Sequence, residues 1–246
     1  MKRFEGKIAL VTGAAVGIGR ATAVKLASEG AQVVAIDLNE EKLATLREEI
    51  GGLGGKVLTL VCDVANEEAV NQAVAIAKEQ FGMIHILVNN AALWRDRSWF
   101  LDTTIDTWKK YMDINVMGVV YCTRAVLGDM LEAGYGRIVN IASVAGVYGN
   151  GKMVHYSATK GALIAMTEAL SKEVCDKGVL VNAVSPGTVS PADISDYCYV
   201  QESGMNYMGR TGSDMENANL ICFLASDEAS YIAGQNIQID GCRKKI

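Results

Sequence analysis

The sequence predicts an α/β chain, one doubly wound domain over residues 1–246 with a parallel sheet of about seven strands and helices on both faces. Three observations carry this. Short apolar runs rich in Val and Ile alternate with longer helix-like segments. The first run, Lys7 to Thr12, ends in a glycine turn that opens a helix. The second, Gln32 to Ile36, stops at an acid, Asp37, eighteen residues beyond Gly19.

Taken in order, the first unit is strand, glycine turn and helix, with Gly13, Val16, Gly17, Ile18 and Gly19 at the turn and the helix running to Glu29. Glycines let backbone N–H groups approach a pyrophosphate, which the helix N-terminus also attracts through its dipole. Asp37 then falls where an adenosine ribose is expected. A carboxylate there accepts hydrogen bonds from both hydroxyls and repels a 2′-phosphate by roughly a few kcal/mol at intermediate dielectric. Val16 adds no cation to offset that repulsion, so NAD is favoured over NADP.

Asn39 to Ile50 reads as an amphipathic helix capped by Asn39, followed by a flexible Gly51–Gly55 link and a strand from Lys56 to Val61. Asp63 and Val64 follow; they bracket an adenine, or Asp63 caps the helix Glu67 to Gln80. Strand four, Ile84 to Val88, opens into Asn89, Asn90, Ala91 and Ala92, small and amide side chains that suit the border of a flat ligand. Leu93 to Asp106 reads either as a loop or as a pocket wall whose Arg95 and Arg97 read an anion. Thr107 to Met130 predicts one long helix, with Asn115 an amide on an apolar stretch that must find partners.

After a strand at Gly136 to Ala142 comes Ser143, then a helix from Tyr156 to Asp176 that places Tyr156 and Lys160 four apart on one face. A free phenol titrates near ~10, and a neighbouring ammonium favours the phenolate, so a downward shift of about two units is expected at Tyr156. Ser143 offers a hydroxyl beside it. Tyr148 and Lys152 share the spacing, but Gly149 and Gly151 between them disfavour the helix. Strand Val179 to Val184 precedes Pro186 and Pro191, with Gly187 and Val189 between, where open α/β sheets bind ligands. Residues 188–212 suit a substrate lid. Asp214 to Ala225 is a last helix and Asn236 to Ile239 a last strand.

Composition excludes several classes. With 50% hydrophobic residues, 21% charged and a net charge of −5, the chain can bury a large core and is no general binder of nucleic acid. The basic run Arg243 to Lys245 is a solvated tail. Six scattered cysteines form no C-x-x-C pair, and two histidines, His85 and His155, do not make a histidine-rich metal site, so no metal is expected. The opening apolar run is too short for a signal peptide, and no apolar stretch suggests a membrane span; a soluble, cytoplasmic protein is expected.

With these residues assembled, the chain resembles the single-domain short-chain dehydrogenase/reductase family, whose fold is of the Rossmann type. T-G-x-x-x-G-x-G stands at Thr12 to Gly19, Asn-Asn-Ala at Asn89 to Ala91, then Asn115, Ser143, Tyr156 with Lys160, and Pro186-Gly187. The resemblance implies that Tyr156 is the acid/base, that Lys160 lowers its pKa and holds the nicotinamide ribose, that Ser143 positions the substrate oxygen and that Asn115 supports a proton relay. It implies a cofactor half over 1–92, a catalytic and substrate half over 93–246, and a homotetramer built through the helices holding Asn115 and Tyr156. The function expected is NAD-dependent interconversion of a small-molecule secondary alcohol and a ketone. A 3-oxoacyl-thioester reductase, which in the family usually prefers NADPH, and a non-catalytic dinucleotide-binding protein are the alternatives. Three positions depart from the pattern: Ala92 replaces a glycine, His85 an aspartate, and Pro191 a threonine that bonds the carboxamide, for which Thr188 or Ser190 would substitute.

Overall fold

The structure, a computed structural model, describes residues 2–190 and 194–244. Its centre is a seven-stranded sheet: β1 (Ile8–Thr12), β2 (Gln32–Asp37), β3 (Lys56–Val61), β4 (Ile86–Asn89), β5 (Gly136–Ile141), β6 (Val179–Pro186) and β7 (Asn236–Ile239). All neighbours pair in parallel, in the order β3-β2-β1-β4-β5-β6-β7. Helices cover both faces, which is why β1, β4, β5 and β6 are buried along their whole length and read as largely apolar runs without a polar alternate face. The chain reverses its direction of winding between β1 and β4, leaving a crevice at their carboxyl ends.

One face packs α1 (Gly17–Ser28), α2 (Glu40–Gly52) and α8 (Asp214–Leu224) against the sheet through Leu26, Leu43, Leu46, Ile50 and Ile221. The other packs α3 (Glu67–Phe81) and α5 (Gly118–Glu132) through Val70, Val74, Cys122, Val126 and Met130. Each such buried aliphatic side chain contributes about 1.5–3 kcal/mol. Asn39 caps α2 as expected, accepting from the Lys42 N–H at 2.9 Å. Gly51 and Gly52 belong to the helix rather than to the link. Asp63 does not cap α3. That place is taken by Asn66, which accepts from the Ala69 N–H at 3.1 Å, while Asp63 accepts from the Ala65 N–H at 2.9 Å in a local turn.

The single helix expected over Thr107 to Met130 is interrupted. α4 (Ile105–Met112) and α5 are joined by a π-helical turn, Asp113–Met117, that holds Asn115 fully buried. Extra width in the turn aims the amide inward, where it meets the partners a buried amide requires. The stretch Ile105–Glu132 is long and apolar enough to cross a membrane, its most apolar 18-residue window having mean hydropathy 1.3 and 39% of its residues buried. It nonetheless packs on the sheet, where Cys122 and Met130 are fully buried and Thr123 accepts from the Asn89 amide at 3.3 Å.

Near the start of β4, His85 is half-buried and ties two strands together. Its Nδ1 accepts from the Ile8 N–H at 3.1 Å, so the imidazole stitches β1 to the strand beside it, and burial lowers its pKa. The remaining helices, α6 (Val144–Tyr148) and the long α7 (Val154–Val174), follow β5 and bring the catalytic candidates to the carboxyl edge.

Candidate active site

A cleft of about 460 Å³ lies across the carboxyl ends of the strands. It is lined at one end by Gly13, Val16, Gly17, Ile18, Asp37, Asp63 and Val64, and at the other by Ser143, Tyr156, Lys160, Pro186, Gly187 and Val189, with Asn90 and Ala91 between. Every residue expected at a dinucleotide, apart from Gly19, lines this one cavity. Gly19 stands just behind it for a steric reason: a Cβ there would lie 2.2 Å from the Gly13 carbonyl oxygen, so only glycine lets the helix seat on the turn. Asn90 ties the floor together, its amide donating to the Thr12 and Gly13 carbonyls at 3.0 Å each.

The donors here suit a dinucleotide. Val16 at the N-terminus of α1 offers no side-chain cap and the first turn holds no acid, whereas α2, α3 and α8 are capped by Asn39, Asn66 and Ser213. The first N–H groups of α1 therefore face the cleft unspent, a natural seat for a diphosphate. At the tip of β2, Asp37 is locked in place. Its two oxygens accept from the Ala15 and Asn39 N–H groups, both at 3.0 Å, which fixes the carboxylate without neutralising it.

At the other end, Ser143 caps α6, accepting from the Ala145 N–H at 3.1 Å, and its hydroxyl hydrogen-bonds the Tyr156 phenol. Lys160, 2% exposed, sits one helical turn beyond Tyr156 with its Nζ 5.8 Å from the centre of the phenol ring. The electrostatics differ from the expectation. Burial pushes the Tyr156 phenol up to about 12, opposed by the Ser143 hydrogen bond, and pushes the Lys160 ammonium down to about 7. In the protein alone the lysine does not lower the phenol, because removing both groups from water disfavours both charges, and the ammonium instead donates to the Ile141 carbonyl at 2.6 Å.

Asn115 is fully engaged. Its amide accepts from the Leu93 N–H at 2.7 Å and donates to the Leu93 carbonyl at 2.9 Å and to the Thr159 hydroxyl at 3.1 Å. It thus clamps the start of the 93–106 segment to α7 beside Lys160. Leu93 and Trp94 from that segment line the cleft, so the stretch is both a loop and, at its beginning, a wall.

Two contacts shape the far rim. Ser190 is spent on structure, donating to the Tyr199 carbonyl at 2.7 Å, so it is not the free hydroxyl that a replacement for position 191 would require; Pro191 lies outside the described residues. Tyr197 from the 194–212 segment reaches across to Glu49 and Arg20, at 2.8 and 3.0 Å, strapping that segment over the helices of the cofactor end. Asp214, at the first turn of α8, also lines the cleft and was not singled out from the sequence. It is 4% exposed, and burial raises its carboxyl to about 6. An acid next to the Ser213 cap reads as an ordinary helix start, and only the fold turns it inward.

Comparison with known proteins agrees with the geometry. The chain is 39% identical over 242 residues to a 3-oxoacyl-acyl-carrier-protein reductase of Thermotoga maritima, covering 97% of this chain and 98% of that one. It is 35% identical over 239 residues to a cyclohexanol dehydrogenase of an Acinetobacter species, covering 97% and 95%. The crystal structure of an NAD+-bound xylitol dehydrogenase superposes with a TM-score of 0.90 at 35% identity, covering 98% of this chain and all of that one. The profile of the short chain dehydrogenase family matches residues 7–199, and the chain belongs to that family of nicotinamide-dinucleotide oxidoreductases.

Proposed function

We propose that this protein is an NAD(H)-dependent oxidoreductase interconverting a secondary alcohol and a ketone. The observation that carries the reading is the convergence of Ser143, Tyr156 and Lys160 at one end of a cleft whose other end is closed by a fixed carboxylate, Asp37. A bound nicotinamide dinucleotide supplies the hydride acceptor or donor. The uncapped start of α1 would hold its diphosphate, Asp37 its adenosine ribose, Asp63 and Val64 its adenine, and Tyr156 with Lys160 its second ribose. Asp37 repels a 2′-phosphate by roughly a few kcal/mol, and no Lys or Arg among the described residues forms an ion pair with it.

Tyr156 handles the proton at its Oη. In ketone reduction the neutral phenol donates to the forming alkoxide; in alcohol oxidation the same oxygen accepts the hydroxyl proton. Ser143 orients the substrate oxygen beside that phenol. Asn115 acts by position, tying Leu93, which lines the cleft, to Thr159 of α7. The apolar stretch Ile105–Glu132, much of it uncovered by the rest of the chain, supports assembly with other copies into a homotetramer in the cytoplasm rather than insertion in a bilayer.

Rates of hydride transfer across secondary alcohols with NAD+ and with NADP+ test the reading. NAD+ is expected to win by at least ~10-fold, and Asp37→Ala to erase most of that margin. A preference for NADP+ that Asp37→Ala leaves unchanged would sink the assignment. The second reading, reduction of a 3-oxoacyl thioester, is supported by the 39% identity to the Thermotoga reductase and uses the same proton chemistry.

A further inference from the structure

We propose that the substrate of this cleft carries an anionic group, a carboxylate or a phosphate, received at the mouth by Arg95, Lys152 and Arg243. This rests on the reading that Tyr156 works on the carbinol or carbonyl carbon inside. The first observation is one of pairing. The protein is acidic overall, and Arg3, Arg20, Lys25, Lys78, Arg137, Lys172 and Arg210 each hold a carboxylate at 2.6–3.0 Å. Among the described residues Arg95, Lys152 and Arg243 form no such ion pair.

The second observation is that hydrogen bonds link the three distant segments that carry them. The Ser98 N–H donates to the Lys152 carbonyl at 2.9 Å, and the Lys152 ammonium lies 4.7 Å from the Trp99 ring. Arg243 donates to the Asn150 Oδ1 at 3.0 Å, two residues from Lys152. Arg95 lies 5.4 Å from the ring of Trp94, which lines the cleft. Arg243 is held there by the backbone: it bridges to Asn206, and the Lys244 N–H donates to the Met205 carbonyl at 3.0 Å. A cation fixed by its main chain gives up less freedom on meeting an anion than one on a loose tail.

Two acids neighbour these cations in sequence, and neither forms an ion pair with them. Asp96 turns one oxygen to the Ser98 hydroxyl at 2.9 Å and the other towards the His155 Nε2 at 3.8 Å; Asp240 accepts from the Cys242 N–H at 3.0 Å. Asp37 and Asp63 line the adenosine end of the cleft, and Trp94, whose ring lies 5.4 Å from the Arg95 guanidinium, lines the other. None of the three cations is itself a lining residue, so they would act from the rim. Such a mouth attracts a negatively charged small molecule and orients it with its uncharged, reacting end inward.

The test is equilibrium binding to the NADH-loaded protein, by tryptophan fluorescence and calorimetry, of matched pairs: 4-oxopentanoate against its methyl ester, and dihydroxyacetone phosphate against dihydroxyacetone. At least one charged member is expected to bind about tenfold tighter than its neutral partner, and which pair shows it separates carboxylate from phosphate. Arg95→Gln and Lys152→Gln should each reduce the preference about threefold, and the triple variant with Arg243→Gln should remove it. Arg47→Gln and Arg124→Gln, which delete the same charge elsewhere, should leave it unchanged, and NADH affinity should hold throughout. Equal binding within both pairs, including no binding at all, overturns the proposal. So does a preference that survives the triple variant, or turnover of a 3-oxoacyl group only when an acidic carrier protein presents it. Loss of the preference with neutral ketones still reduced defeats the anion site alone; an intact preference with no ketone reduced defeats the oxidoreductase reading alone.

Discussion

Two Tyr-x-x-x-Lys motifs lie eight residues apart in this chain, and the fold treats them in opposite ways. Tyr156 and Lys160 share the unbroken helix α7, so the ammonium is drawn under the sheet edge beside the phenol. Tyr148 ends the five-residue α6; Gly149 follows at φ 74° and Lys152 sits at φ 61°, so the second pair never shares a helix. Tyr148 is 42% exposed and bonds Gln238, while Lys152 leans on Trp99. Spacing creates a catalytic pair only where a continuous helix converts it into proximity and a sheet edge dries it.

The sharpest way to break this comparison is to remove each phenol in turn. Tyr156→Phe should cut turnover by ~10³ while NADH still binds, and Tyr148→Phe should stay within about twofold, as steady-state rates and fluorescence titration will read. Equal losses would erase the distinction. Next come the lysines. Lys160→Met should cost ~10² in turnover yet raise stability at pH 7. Because the folded pKa is lowered from 10.5 to about 7, the unfolded chain binds more protons between those values. Stability therefore climbs with pH across that window in the native protein and loses the slope in the variant, a gain of order a few kcal/mol at pH 7 by chemical denaturation. Lys152→Met should leave the slope of stability with pH unchanged and alter turnover only through the affinity for a charged substrate.

The pH profile sharpens the contrast further. With the Tyr156 phenol raised to about 12, its base form is scarce at neutral pH. For alcohol oxidation kcat/KM should rise with pH by up to ~10-fold per unit, and for ketone reduction it should not rise. A flat oxidation profile would show that something else takes the proton. The smallest effect belongs to Asp214, whose carboxyl is raised from 3.8 to about 6. Its contribution is complete below pH 3.8 and lost as pH rises through 6, so Asp214→Asn should raise the melting temperature at pH 8 and leave it unchanged at pH 4.

Much of this was legible in the sequence, for reasons that separate one residue from another. β1, β4, β5 and β6 are covered on both faces and so read as largely apolar runs; Asp37 could be placed because it ends such a run at a fixed distance from a glycine turn. Ser143, Tyr156 and Lys160 were readable because the chain keeps them within eighteen residues. The direction of the Tyr156 shift was not readable, since it depends on how dry the sheet edge becomes and on Lys160 finding the Ile141 carbonyl. Nor was the rim: Arg95, Lys152 and Arg243 stand on segments far apart in the chain that are linked only by hydrogen bonds of the folded protein.

The widened turn at Asp113–Met117 has a consequence for tolerance to length change. A π-helical turn takes in one residue more than a regular spiral needs for about the same rotation, so deleting one residue there would close it into an ordinary α-helical turn and leave Cys122, Val126 and Met130 on the sheet. What such a deletion removes is the extra width that aims Asn115 inward, and with it the hold on Leu93. Loss of one residue at this turn therefore spares the core and loosens the wall of the cleft.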